Sequence, residues 1–523
     1  MAADGTASSG REALVPTYDG RVRRDDIPFA AVAVVGLTLA FVIHARGEWV
    51  WDDVELVQQN PRLAPGSGLW PLLTHDLGNV QGTHIYRPVP LALQWIETRI
   101  FGVSLLPMRC VNVLVHAVNG VLLLLVMRRE GATKLAAQVG ALVFLLHPAS
   151  TEPVMWISGL HDLLGVTMTL AACLASRRAW LAGVFTALAV LSKEAYAVVP
   201  LLLALLVLGL RRARDVRVLG ASFAAVLLVF VLRWRLGMAS GGGRTAGGVV
   251  DYATVFLHYA LGLFTFTNAR STETYEPVAA SVVALVVVVA AAAVLVRSKN
   301  ARLRALSFGM VWIAIALAPY AIAVPVARMY GNRYAYLALV GFALAVGYAV
   351  DALASWLRSR EPTARVGGVV ERAAPVLALP LAIATAADAS LWKSGMTLFG
   401  ADFDRAPNDP RALYHFGHAN YRVAGCKAAL PFYQRAVEIE PTYQRAWHNV
   451  AGCLINEHAF AEAVEPARTE LGLAPDDPRA EYNLGLALVS SGQRDEGIAH
   501  LERSVALDPS WPTAAETLRN ARK

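Results

Sequence analysis

The sequence is poor in charge. Of its 523 residues 17% are Asp, Glu, Lys or Arg, and 56% are hydrophobic. Soluble domains carry about a quarter charged residues, so a chain of this composition is too apolar to be an ordinary soluble protein. Cysteine is scarce as well. Cys110 and Cys173 fall in apolar runs, where packing is their expected role, and Cys426 and Cys453 fall in the C-terminal tail. Four such residues exclude a disulfide scaffold, and no bridge between Cys426 and Cys453 is expected. The net charge is only +7, and no stripe of Lys and Arg interleaved with aromatics occurs. Nucleic acid is therefore not an expected partner.

What is present is a series of apolar runs of roughly 17 to 25 residues, the length that spans a bilayer as a helix. They recur up to about residue 391 and then stop. The expected fold is all-α: a polytopic membrane helical domain over 28–391, then a soluble tail over 392–523. Residues 1–27 are polar, and no small-residue cleavage site follows the first run. That run is read as a retained anchor rather than a signal peptide.

Basic clusters orient the runs. The first span, 28–44, is preceded by RVRR, which places residues 1–27 in the cytoplasm and the first loop, 45–108, outside it. Further clusters lie at 128–130, 176–178, 211–217, 297–304 and 358–372. Assigned to the cytoplasm, each is flanked by a pair of crossings: 109–127 with 135–147, 160–175 with 179–193, 196–210 with 217–235, 278–296 with 305–324, and 333–356 with 373–391. That gives about eleven spans and puts the tail outside the cytoplasm. Two segments are left over. Residues 255–266 read as a re-entrant or surface-lying helix. Residues 88–102, with Glu97 and Arg99, read as a helix lying at the interface.

The tail repeats. Pro407, Pro441, Pro475 and Pro509 are spaced by 34 residues, the period of the tetratricopeptide unit. Phe416–Gly417, Val450–Ala451 and Leu484–Gly485 fall at the close-packing pair of the first helix, Trp447 at the tryptophan position, and Ala429 and Ala463 where the second helix approaches. Glu470 and Gly497 stand where alanine is usual. Three repeats and a final helix over 511–522 suffice for a short α-solenoid, with a groove suited to an extended peptide or a partner helix. Its histidines, His415, His418, His448 and His458, read as scattered polar-face residues rather than metal ligands.

Charges within apolar segments are expensive and usually functional. Those at the span ends away from the basic clusters are Asp52 and Asp53, Arg87, His147 and Glu152, His161 and Asp162, Lys193 and Glu194, and Arg328 and Arg333 in ARMYGNRYAY, where Tyr334 joins them as a substrate-binding candidate. An acid can deprotonate a hydroxyl. Arginine and lysine can hold a phosphate and stabilise the charge that develops as it leaves. The set suits transfer from a phosphorylated lipid donor to a hydroxyl arriving from outside, with Asp52 or Asp53 as base and the other residues binding substrate. Each residue taken singly could equally be structural.

In order along the chain, WDD after the first span, YRPV before an amphipathic helix, HPxxTE with WISGLHDLL, SKE before a proline-closed span, and NRYAYL resemble the GT-C glycosyltransferases. The branch they resemble is the transmembrane O-mannosyltransferases with tetratricopeptide repeats. The resemblance implies a polyprenyl or dolichyl phosphate sugar as donor and inverting transfer at the extracytoplasmic face, with protein O-glycosylation as the outcome. It carries the catalytic acid to Asp52 and Asp53. No cofactor is implied beyond the lipid donor, and a divalent metal is compatible with the residues but not required by them. Leu160, His161 and Asn332 depart from the family pattern. The partners expected are the lipid-linked donor, a protein or peptide acceptor in the repeat groove, and the membrane. A composition rich in Ala, Val and Arg suggests a bacterial inner membrane, with the repeats in the periplasm. The alternative is a non-catalytic, membrane-anchored tetratricopeptide scaffold for envelope assembly or secretion.

Overall fold

The computed structural model describes residues 27–76, 85–209, 216–238, 249–265, 278–320, 331–360, 363–373 and 376–523. The N-terminal segment and Arg328 lie outside them. Within them the regular structure is helix, with no strand.

Among the described residues, four helices are long and apolar enough to cross a membrane: Leu105–Arg129, Ile157–Leu174, Arg217–Arg235 and Asn332–Arg358. Eight further apolar helices run 10 to 17 residues. The run read at 135–147 is a helix over Lys134–Leu146. At 1.5 Å per residue it is about 20 Å long, against a hydrocarbon core of about 30 Å. It stops because His147 turns the chain into a short 3-10 segment. The run at 179–193 stops at Ser192 in the same way, with Glu194–Val198 following as a 3-10 turn. Polar residues at these ends break the regular helix where the sequence alone suggests a full crossing.

We label the elements that frame the site. They are α1 (Ile27–Ala40), α2 (Pro88–Phe101), α3 (Leu105–Arg129), α4 (Leu160–Leu174), α5 (Arg217–Arg235) and α6 (Tyr336–Arg358). Helix α6 packs on Lys134–Leu146 and on Ala301–Leu317. Where α6 meets the latter, a Cβ on Gly341 would lie 2.6 Å from the Gly309 carbonyl, and the reverse holds for Gly309. Only glycine at both positions lets the two backbones touch, as small residues do between membrane helices.

Two of the leftover segments can be placed. The helix Val249–Thr265 buries Val255, Phe256, Tyr259 and Leu263 in the main core. In α2, Glu97 does not face water: it is buried with Gln94, while Ile96, Ile100 and Phe101 are exposed. Arg99 donates to the Ser67 carbonyl at 2.6 Å. Cys110, expected to pack, is exposed, and Cys173, Cys426 and Cys453 are buried free thiols.

The tail forms three helix pairs: Pro410–Ala424 with Cys426–Ile439, Gln444–Asn456 with Phe460–Leu473, and Pro478–Ser490 with Arg494–Leu507. The helix Pro512–Arg522 closes the array and Gly395–Arg405 precedes it. Asp409 and Asp477 cap the first helices of two pairs through backbone N–H groups. The two departures from the repeat pattern have separate causes. A Cβ at Gly497 would lie 2.7 Å from the Gly485 carbonyl, so the third pair crosses too closely for alanine. Overpacking of this kind costs about 1–3 kcal/mol. We expect Gly497→Val to destabilise the tail by about 1–3 kcal/mol, read as a lower thermal midpoint of the tail in the full chain. Glu470 is fully buried. Its Oε1 accepts from His448 Nδ1 at 2.6 Å and its Oε2 from Asn483 Nδ2 at 3.0 Å. A carboxylate in the place of alanine thus fixes two polar side chains of neighbouring first helices.

Candidate active site

The site begins where α1 ends. Residues 41–53 turn back over the helix ends, and Glu48 N donates to the Lys393 carbonyl at 2.8 Å. Arg109, fully buried in α3, gathers this region. Its guanidinium donates to the carbonyls of Met155 (3.0 Å), Trp392 (3.0 Å), Glu48 (3.3 Å) and Ala45 (3.4 Å). One cation therefore ties the first loop to the HPASTEP turn and to the start of the tail.

The two aspartates have different surroundings. Asp53 is fully buried. Its Oδ2 accepts from Ile157 N at 3.0 Å, and its Oδ1 from Ser158 N at 2.9 Å and Ser158 Oγ at 2.8 Å. Those N–H groups open the turn that leads into α4 and have no partner within the helix, so Asp53 caps them from across the fold. Burial pushes its carboxyl up to about 7 against the three donors. Asp52 is half-buried, and its carboxylate makes no hydrogen bond among the described residues. Burial pushes it up to about 6, opposed by the charges of Arg333 and Arg445 and assisted by Glu55. Of the two, Asp52 is thus the half-open carboxylate and the one whose oxygens hold no backbone.

Trp51, just before the pair, has a left-handed backbone with φ +57°. A bulky residue in that region costs on the order of 1–3 kcal/mol and persists only where its surroundings hold it. Here they do. Its ring stacks on Trp156 at 5.4 Å, and the Arg333 guanidinium lies 5.0 Å from the ring centre. On the other side the ring meets Phe399 and His415 edge-on at 6.2 and 5.9 Å. Phe399 and His415 belong to the tail, and Arg422 of the same region donates to the Trp49 carbonyl at 3.0 Å. His415 is therefore not a scattered polar-face residue. It stacks on Phe399 at 5.0 Å, and burial pushes its imidazole down to about 3, so it stays neutral.

The expected phosphate-holding cations are engaged with the expected acids. Lys193 Nζ reaches both oxygens of Asp162, at 2.7 and 2.8 Å. Arg87 forks onto Glu194 through Nη2 at 2.7 Å and Nε at 3.1 Å. Arg333 Nη1 donates to Glu152, and its Nη2 to the Tyr334 hydroxyl at 3.1 Å. The pairs form one cluster: Lys193 Nζ lies 5.2 Å from the Tyr334 ring, and Arg333 lies between Tyr334, Trp51 and Trp156. Asp52, Asp53, Glu152, Asp162, Lys193, Arg333 and Tyr334 are thus brought together. Arg87 and Glu194 lie alongside, and the buried His161 is within electrostatic reach of Arg87, Lys193 and Glu194. His147 has another task. Its Nδ1 accepts from Ala149 N at 3.0 Å, so the proton is on Nε2, which donates to the Leu263 carbonyl at 2.9 Å. Both ring nitrogens hold backbone.

Sequence reasoning overlooked Arg109, Trp51, Trp156 and Ser158. The signal for Arg109 was available. Arg109, Asn112, His116 and Asn119 form a polar stripe at helical spacing along an apolar run, and all four are buried. Among the described residues no three His, Cys, Asp or Glu side chains are grouped to hold a metal ion. At the far end of the tail, His448, Arg479, Tyr482, Asn483 and Trp511 line a groove of about 290 Å³.

The chain is 30% identical over 161 residues to mouse Protein O-mannosyl-transferase TMTC1, covering 28% of this chain and 17% of that protein. The human protein of the same name matches at 30% over 161 residues, 28% of this chain and 18% of its own. The chain resembles the transmembrane O-mannosyltransferases that carry tetratricopeptide repeats. The match spans less than a fifth of either relative's length. No protein-family model matches the chain. Solved structures similar to part of it include MamA of Desulfovibrio magneticus (24% identical, 24% of this chain and 71% of that one, TM-score 0.23). The Arabidopsis OM64 tetratricopeptide domain matches at 18% identity over 22% of this chain and 93% of its own, TM-score 0.21. The first tetratricopeptide domain of human RPAP3 matches at 20% identity, over 22% and 92%, TM-score 0.21.

Proposed function

We propose that this protein is a membrane glycosyltransferase of GT-C type that moves a sugar from a lipid-phosphate donor to a hydroxyl of a protein or peptide acceptor. The site faces the extracytoplasmic side of a membrane crossed about eleven times, residues 1–27 are cytoplasmic, and the repeats stand in the periplasm of a bacterial cell. The observation that carries this reading is Asp52: a half-open carboxylate with no hydrogen bond among the described residues, within electrostatic reach of Arg333.

Asp52 takes the proton of the acceptor hydroxyl. The oxygen forms a bond to the anomeric carbon as the bond from that carbon to the phosphate oxygen breaks, and the electron pair leaves with the lipid phosphate. Attack from the side opposite the leaving group inverts the anomeric centre. Arg333, held by Glu152 and three aromatic rings, is a fixed positive charge that needs no rearrangement during the reaction. The Trp156 indole N–H is buried without a hydrogen-bond partner, which suits it to a sugar or phosphate oxygen. The repeat array lies against the WDD loop through Phe399, His415 and Arg422, so an acceptor held in its groove is delivered beside Asp52 at high local concentration.

The pH dependence follows from Asp52. A base with its carboxyl near 6 is charged above that value and protonated below it. We expect the transfer rate to be flat at neutral pH and to fall about tenfold per unit below pH 6. A rate that stays level down to pH 4.5 contradicts the assignment.

A further inference from the structure

We infer that Arg233 receives the phosphate of the lipid donor, an assignment that rests on the donor class proposed above and adds a residue to it. Arg233 is in the last turn of α5 and is 3% exposed. Its Nη1 lies 3.7 Å from Glu194 Oε2, beyond hydrogen-bonding distance. That nitrogen is buried and has no hydrogen-bond partner. Glu194 is already taken by the fork of Arg87. Two guanidinium ions thus share one carboxylate, which leaves one positive charge and an open N–H in a buried place.

An ordinary arginine at a helix end favours the carbonyl end of the helix dipole from an exposed position. Burial removes that explanation, because a charged donor withdrawn from water without a partner is destabilising. An anion with several oxygens satisfies it. The carrier of that anion is indicated by the rest of α5: Leu227, Phe230, Val231 and Trp234 are exposed and apolar on the outward side of the helix, whose inner side buries Ala225, Val229 and Arg233. In a bilayer those side chains meet hydrocarbon. A phosphate on a hydrocarbon chain can lay the chain along them with its head at Arg233 and Arg87, whereas free phosphate uses only the charges. From there Arg87 and Arg333 are both within electrostatic reach of Asp162, so the head group borders the cluster that contains Asp52.

The test is binding of sugar-free polyprenyl phosphate to the full chain in nanodiscs. Wild type is expected to bind saturably. Arg233→Gln is expected to lose at least tenfold in affinity, and Arg233→Lys, which keeps the charge without the fork, to recover part of that loss. The partial recovery separates a lost contact from a misfolded protein. Asp52→Asn is expected to bind as wild type does. Equal affinity for wild type and Arg233→Gln overturns this assignment and leaves the donor class standing. No binding by wild type overturns the donor class itself. Displacement of the lipid by an equal concentration of inorganic phosphate overturns the choice of a lipid head group, because the apolar face then contributes nothing.

Discussion

Asp52→Asn is expected to lower the transfer rate about 10²–10⁴-fold, the contribution of a positioned general base. The protein's thermal midpoint should not move, because the Asp52 carboxylate makes no hydrogen bond among the described residues. Asp53→Asn should behave differently. Its carboxylate accepts three hydrogen bonds from Ile157 and Ser158, and an amide NH₂ in place of one oxygen would face N–H donors with another donor. We expect it to lower both the midpoint and the rate, by about 1–3 kcal/mol in stability for a buried group left unsatisfied. Rate and melting temperature, measured on the same two variants, separate the base from the anchor. Full activity in Asp52→Asn would remove Asp52 from the chemistry.

The second large effect concerns Lys193 and Asp162. Both are buried, and each oxygen of the carboxylate holds the ammonium group. Removing one partner strands the other in low dielectric, which costs about 3–5 kcal/mol, whereas replacing both with apolar residues of like volume is often close to neutral. Lys193→Met is therefore expected to give a strongly destabilised protein, and Lys193→Met combined with Asp162→Leu to regain most of the lost thermal stability. If the double variant is no more stable than the single one, the pair is not acting as a mutually compensating unit.

The residues differ in how far the sequence could describe them. The four prolines at 34-residue spacing correspond to three helix pairs because a period of that kind is a local property of the chain. The polar span ends could likewise be picked out as a set, since charge in an apolar run is visible without a fold. The pairing within the set could not. Arg87 meets Glu194 across 107 positions and Arg333 meets Glu152 across 181, and no spacing rule links such residues. Sequence reasoning accordingly treated the cations as open to phosphate, although three of them are already bound to carboxylates. Trp51 was passed over for a related reason: its strain and its four aromatic and cationic neighbours arise only when the HPASTEP turn, the NRY turn and the tail converge. The difference between Asp52 and Asp53 has the same origin, since adjacent identical residues are told apart only by what folds against them. Arg233 reads as an ordinary basic flank until its burial is known.

The measurement that bears most directly on the whole account is the fate of a labelled sugar. The purified full chain in nanodiscs is supplied with a polyprenyl phosphate hexose and a serine- and threonine-containing peptide, and the peptide is followed by mass and anomeric configuration. The account predicts that the peptide gains a single hexose of inverted configuration, and that Asp52→Asn yields none above background. An unmodified peptide with every lipid-linked sugar tried, or transfer that proceeds equally well without Asp52, contradicts it.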